Sequence, residues 1–203
     1  MSNCAIILAG GEGKRMKSDK PKTLSLVLGK PMLEWVISSL KKAGVNDICI
    51  VKGFKKECID EFVSTLDFKV ETVYQAERLG TGHAVMMAKD FLESHKGDSV
   101  VILNGDAPFM DSKTIEKSLE QHINTQSSAT VISAMVDDPT GYGRIIRTEN
   151  GISGIVEHKD CTPMQLAITE INSGCYWFKT ADLLEVLFDI KPENAQGEYY
   201  LTD

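Results

Sequence analysis

The stretch that most constrains the fold lies near the N-terminus. There the apolar run Cys4-Ala5-Ile6-Ile7-Leu8 passes into Ala9-Gly10-Gly11-Glu12-Gly13 and then directly into Lys14 and Arg15. A run this short and this apolar suits a strand buried on both faces. Three glycines in four residues cost backbone entropy, so a fold keeps them where a side chain would obstruct something. Backbone N–H groups in such a turn converge on an anion, and Lys20 and Lys22 follow soon after the first two cations. The pattern points to a phosphate-bearing ligand held just beyond a first, central strand.

The rest of the chain alternates in a way that extends this picture. Pro31 suits the first turn of a helix, Leu33, Val36, Ile37 and Leu40 recur at helical spacing, and Gly44 ends the segment. Residues 47–51 and 68–74 read as strands around a helix at 56–65, and a helix with Ala84, Met87, Ala88 and Phe91 on its apolar side precedes a buried strand at 99–103. Ser112 is placed to cap a helix to about residue 121, and 129–135 reads as a fifth strand. Strands alternating with helices imply crossovers and a mainly parallel sheet. After Pro139 the rhythm changes: strands at 141–147, 154–157 and 170–178 are separated by short helices at 163–166 and 181–188. This half is expected to add antiparallel strands to one edge, giving one domain, residues 1–203, with two lobes and a ligand between them.

Composition narrows the partners. The net charge is −7, which argues against a nucleic-acid surface, because phosphate backbones need a basic footprint. No apolar run is long enough to span a bilayer, and Met1-Ser2-Asn3 carries no basic region of the kind that opens a signal peptide. Five cysteines lie scattered without C-x-x-C spacing, which suggests reduced thiols in a cytoplasmic protein. An acidic chain that binds a polyphosphate must concentrate positive charge locally or recruit a metal ion.

In open α/β sheets, ligands sit beyond the carboxyl ends of the strands. Three polar clusters occupy that position: the glycine loop, Leu79-Gly80-Thr81-Gly82 at a helix entrance, and Asp106 just past the fourth strand. Arg15 can hold phosphate oxygens bidentately and Lys22 as a mobile point charge. Asp106 would give Mg²⁺ a hard oxygen ligand, since that ion takes one or two carboxylates plus phosphate and water. A Walker A loop is ruled out, because Gly13-Lys14 is followed by Arg15 and Leu8 stands where its first glycine belongs. The dinucleotide fingerprint matches at Gly11 and Gly13 but finds Met16 in place of the last glycine, which leaves NAD binding open but disfavoured. Each residue also has a plain structural reading: a glycine turn, Asp106 as a cap, His83 as a packed or capping histidine, His158 in a solvated turn, Tyr142 as a turn anchor. The joint occurrence in this order favours phosphoryl or nucleotidyl chemistry.

Taken together, Leu8 to Met16 with Pro21-Lys22-Thr23-Leu24, then Gln75 with Leu79 to Ala84, Gly105-Asp106-Ala107-Pro108, Gly141-Tyr142-Gly143-Arg144, Ile155 to Asp160, Ile171-Asn172-Ser173-Gly174 and Asn194 to Asp203 resemble the sugar-nucleotide pyrophosphorylases. Within them, the chain is similar to the N-terminal uridylyltransferase half of bacterial bifunctional N-acetylglucosamine-1-phosphate uridylyltransferase/glucosamine-1-phosphate acetyltransferases. The resemblance implies an α/β, Rossmann-like (GT-A-like) nucleotidyltransferase fold: a mixed, mainly parallel sheet with a small antiparallel sugar-binding lobe. It implies formation of UDP-N-acetylglucosamine and pyrophosphate from UTP and N-acetylglucosamine 1-phosphate, for peptidoglycan and other envelope precursors. By position, Leu8, Ala9, Gly10 and Gly11 would line the nucleotide. Gln75, Gly80 and Thr81 would read uracil, Arg15 and Lys22 would hold phosphates, and Asp106 would bind Mg²⁺. Asn104, Gly105, Gly143, Glu157 and Asn172 would hold the sugar. The family usually has Thr at Lys14, often Tyr at Asn104, and Thr at Ser173. Its second protein metal ligand, an Asn, and the β-helix that carries acetyl transfer and trimer assembly would lie beyond residue 203, so a truncated form is expected. Another sugar 1-phosphate, or a binding-competent but inactive fragment, remains the alternative.

Overall fold

The structure, a computed structural model, describes residues 2–13 and 19–203. Arg15, expected to hold phosphate, and its neighbour Lys14 lie outside the described residues.

The central strand is β1 (Asn3–Ala9), which pairs in parallel with β4 (Asp47–Lys52) on one side and β6 (Ser99–Asn104) on the other. β5 (Glu71–Tyr74) extends the parallel set beyond β4. The middles of β1, β4 and β6 are apolar because both faces are covered, whereas β5, at the sheet edge, is exposed at Glu71 and Tyr74. Alternation divides their side chains: Ala5, Ile7, Ile48, Ile50, Val101 and Leu103 enter one core, with helices α1 (Met32–Lys42), α2 (Lys56–Ser64) and α5 (Ser112–Asn124). Cys4, Ile6, Cys49, Val51, Val100 and Ile102 enter the other, with α3 (Thr81–Met86), α4 (Lys89–Ser94) and α7 (Thr180–Val186). Leu33, Val36, Ile37 and Leu40 of α1 are all buried, as their spacing requires.

The second half joins through β10 (Glu170–Lys179), which runs antiparallel to β6. β7 (Ala129–Met135) pairs antiparallel with β10 and makes no pairing with the parallel strands, so the helix-strand alternation that suggested a fifth parallel strand ends before it. A bulge between Asn172 and Cys175 bends β10, and its N-terminal end meets β8 (Arg144–Thr148) of the hairpin β8/β9, β9 being Gly151–Val156. The order across the described sheet is β5-β4-β1-β6-β10-β8-β9, with β7 on β10, so the antiparallel lobe lies to one side of the parallel strands. Trp177 on β10 is fully buried, and its indole Nε1 donates to Ser118 Oγ on α5 at 2.9 Å. The helix α6 (Pro163–Leu166) carries a capping box from Thr162 and Gln165, and β2 (Leu26–Val27) and β3 (Lys30–Pro31) form a small ribbon.

Two local expectations shift. The single helix expected around Ala84 to Phe91 is two, broken at Met87 and Ala88, so Ala84, Ala88 and Phe91 stay buried while Met87 turns to solvent. The cap of α5 is Asp111, whose carboxylate accepts from Thr114 N at 2.7 Å, one residue before the expected Ser112. No helix among the described residues is long and apolar enough to cross a membrane.

Candidate active site

Parallel pairing brings the strand ends level. Ala9 is in register with Lys52 and Lys52 with Tyr74, while Leu8 faces Asn104. The residues that follow, Gly10, Gln75 and Gly105-Asp106, therefore emerge at one edge of the sheet. There Gly10, Gln75 and Asp106 border a cleft of about 820 Å³ that is lined by Leu8, Gly10, Gly11, Gly13, Lys22, Gln75, Gly80, Thr81, Asn104 and Asp106, together with Glu12, Thr23, Arg78 and Glu198. Its size is that of an ordinary small-molecule site.

The glycine loop is shaped by close approach. Gly13 has φ of 63°, and a Cβ there would lie 2.6 Å from Lys22 Cβ, so the loop rests on the lysine stem. Lys22 Nζ in turn meets Asp106 Oδ2 at 2.5 Å. Gly10 accepts from Phe54 N at 3.1 Å, and a Cβ on it would come within 3.1 Å of Gln75 Oε1. Ala9, expected beside the nucleotide, is fully buried in the core and does not line the cleft. Gly105 is likewise buried, its N–H donating to Leu8 O at 2.9 Å, and a Cβ on it would meet Thr23, Ile7 and Leu33; it does not line the cleft.

Gln75 is only 5% exposed, and its Nε2 lies 3.0 Å from Gly80 O and 3.1 Å from His83 Nδ1. Gly80 has φ of 114°, and a Cβ there would fall 2.5 Å from Tyr199 O, so only glycine fits. The C-terminal segment causes that crowding. Tyr199 N donates to Leu79 O and Gly82 N to Tyr199 O, both at 2.7 Å, and Leu201 N donates to Thr81 Oγ1 at 3.0 Å. Farther back the same segment reaches the other lobe: Ala195 N donates to Asp160 Oδ1 and Lys159 Nζ to Gln196 Oε1, both at 2.7 Å.

The expected sugar residues form a second cluster. Asn172 N donates to Gly143 O at 2.9 Å, and a Cβ on Gly143 would lie 2.8 Å from Glu157 Oε1. Asn172 Nδ2 donates to Tyr176 OH at 2.6 Å. Burial, then the charges of Asp160 and Asp203, push the Glu157 carboxyl up, while its hydrogen bond with Asn172 pulls it down. Arg144 is buried beside them, its guanidinium donating to Tyr142 O and facing His158 Nδ1 at 3.3 Å, which gives His158 a contact inside the lobe. The cluster abuts the cleft at Asn104, whose Nδ2 would touch a Cβ on Gly174 at 2.6 Å. Thus Gly143, Glu157 and Asn172 are brought together next to the cleft, with Asn104 at the junction.

Four cleft residues had no role in the sequence reading. Arg78 and Glu12, both lining the cleft, pair at 3.0 Å, Thr23 follows Lys22, and Glu198 comes from the C-terminal segment. All four lie within or beside quoted motifs, but only the fold shows that they face one space.

Among the described residues no three His, Cys, Asp or Glu side chains converge as a protein metal cage. Asp106 presents a single carboxylate in a cleft that also holds Lys22 and a glycine loop. One hard oxygen donor beside a glycine loop and a lysine suits a hard divalent cation that fills its remaining positions with ligand oxygens and water.

Comparison with known proteins identifies the chain's relatives. The chain is 51% identical over 203 residues to the bifunctional protein GlmU of Clostridium beijerinckii, and 49% identical over 204 residues to that of Clostridium botulinum (strain Loch Maree). It matches those relatives along its whole length but spans 44% of theirs. A solved UDP-glucose pyrophosphorylase complexed with UDP-glucose superposes with a TM-score of 0.82 at 19% identity, covering 100% of this chain and 85% of that one, and shares its Rossmann-like fold. Residues 4–202 match the nucleotidyl transferase family, and the chain, from its first strand to its C-terminal segment, belongs to that family.

Proposed function

We propose that the chain is an N-acetylglucosamine-1-phosphate uridylyltransferase, joining UTP and N-acetylglucosamine 1-phosphate into UDP-N-acetylglucosamine and pyrophosphate. The observation that carries the reading is the single cleft in which a base-sized edge at Gln75 and Gly80, a glycine loop with Lys22, and Asp106 meet the Gly143–Glu157–Asn172 cluster through Asn104. The similarity to the GlmU proteins supports the choice of nucleotide and sugar.

In this reading a phosphate oxygen of the sugar phosphate attacks the α-phosphorus of UTP in line, and the bond to the β-phosphate oxygen breaks as pyrophosphate leaves. The attacking oxygen is already ionised, so no general base is required. Both reactants are anions, and the chain's task is positioning and charge compensation. Lys22 can swing from Asp106 to a phosphate in the cleft, since its side chain lines the cleft and is partly exposed. The glycine-loop N–H groups orient the phosphate chain. Gln75 and Gly80 fix the base, and Asn172 and Glu157 fix the sugar. Asp106 would hold Mg²⁺, which when bound neutralises phosphate charge. Arg15 would add a second cation to the phosphate side. The five unpaired cysteines suit a cytoplasmic setting, where UTP is found.

The test is Mg²⁺-dependent pyrophosphate release from UTP and N-acetylglucosamine 1-phosphate, with glucose 1-phosphate and the other nucleoside triphosphates as comparators. Preferred turnover of the named pair is expected. Faster turnover of another sugar phosphate would reassign the substrate, and no turnover with any pair would overturn the enzymatic reading.

A further inference from the structure

His83 packs against the cleft with no task in the reaction as described. Its Nδ1 stands 3.1 Å from Gln75 Nε2, and Gly80 O stands 3.0 Å from the same nitrogen. A carbonyl oxygen only accepts, so Gly80 requires the amide nitrogen, not the amide oxygen, on its side. With one N–H given to Gly80, the other points at His83 Nδ1, which can receive it only through an unprotonated lone pair. His83 is therefore the tautomer that carries its proton on Nε2. Gly80 and His83 lie three residues apart, one turn of α3, so a single helix start supplies both acceptors. The result is that Gln75 Oε1 is turned toward Gly10, on the wall of the cleft.

We propose that His83 is a positioning residue for base selection. By accepting from Gln75 Nε2 it locks the amide so that the cleft is offered an acceptor and not a donor. Such an edge takes a pyrimidine whose ring nitrogen carries a hydrogen, as uracil does, and rejects one that presents a bare ring nitrogen, as cytosine does. Rotating the amide would set Gln75 Oε1 against Gly80 O, forfeit that hydrogen bond and require His83 to move its proton to Nδ1, so the two acceptors together hold one orientation. With His83 removed, only Gly80 restrains the amide, and the discrimination weakens. The inference rests on the uridine-nucleotide reading of the cleft.

The experiment is calorimetric binding of UTP and of CTP to the unsubstituted chain, to His83→Leu, which keeps bulk without an acceptor, and to His83→Asn, whose Oδ1 takes the place of Nδ1. Binding is paired with steady-state kinetics. The unsubstituted chain is expected to prefer UTP, His83→Leu to lose about tenfold of that preference through KM and not kcat, and His83→Asn to regain most of it. An unchanged UTP-to-CTP ratio in a folded His83→Leu protein would overturn the role of His83 and leave the uridine reading standing. No preference in the unsubstituted chain would overturn the uridine reading itself, and this inference with it. Should His83→Leu fail to fold, ¹⁵N histidine NMR of the unsubstituted chain decides. A bare Nδ1 and a protonated Nε2 are expected, and a protonated Nδ1 would refute the proposal.

Discussion

Glu157 and Glu170 sit in the same antiparallel lobe and are pushed in opposite directions. Glu157 is raised chiefly by burial, so the fold prefers its protonated form. That preference is fully present at acid pH and is lost as pH rises from the free carboxyl value through the raised one, so the ionised group opposes folding at neutral pH. Glu157→Gln is therefore expected to raise the thermal midpoint at pH 7 while weakening sugar phosphate affinity about tenfold, read by melting and by KM. Glu170 is lowered to about 2, first by Arg147, whose Nε and a terminal nitrogen each donate at 2.7 Å, then by Ser133. A depressed carboxylate stabilises above its free value and loses that contribution as pH falls through the folded one. Arg147→Ala should accordingly melt like the parent at high acid, near pH 2, and fall behind it above about pH 4.5, in thermal scans across that window. In the cleft, Asp106→Ala is expected to abolish metal-dependent turnover without loss of the folded circular dichroism signal; near-parental turnover would remove Asp106 from the metal site. These side chains were visible in the sequence as types at positions. Their charge states were not, because burial and partners such as Asp203 beside Glu157 come from distant segments.

At the scale of elements, periodicity made the secondary structure legible where it was local. The buried stripe of α1 and the apolar runs of β1, β4 and β6 could be read directly, because each segment's own pattern declares its face. The direction of β7 could not, since antiparallel pairing with β10 is a contact between segments some forty residues apart, and both a parallel and an antiparallel strand carry the same local pattern. The break between α3 and α4 was hidden for a similar reason: Ala84, Ala88 and Phe91 keep helical spacing across it. Trp177 anchors the junction of the two strand sets through β10 and α5, and Trp177→Ala should cost about 3–5 kcal/mol in chemical denaturation. The start of α3 is equally exacting. Gly80→Ala would need both a left-handed backbone for an L-residue and a Cβ inside the space of Tyr199 O, so a large rise in KM for UTP is expected, with a smaller effect on KM for the sugar phosphate.

For the molecule as a whole, the placement of the candidate cleft was readable because a parallel sheet collects strand ends at one edge, and the glycine loop, Gln75 and Asp106 each follow such an end. What the sequence left hidden were the partners that reach across: the Arg78–Glu12 pair, the crowding of Gly105 by the core, and the route of the C-terminal segment. That route has a mechanical consequence. Residues 195–201 bond at one end to the turn holding Glu157 and at the other to the loop holding Gly80, so the two jaws of the cleft are joined by one short tether. A jaw cannot widen alone to release a ligand; either the tether detaches or both jaws travel together. The amides of Ala195, Tyr199 and Leu201 are the linkage points, and their hydrogen exchange would count the openings of the whole cleft, whichever ligand occupied it.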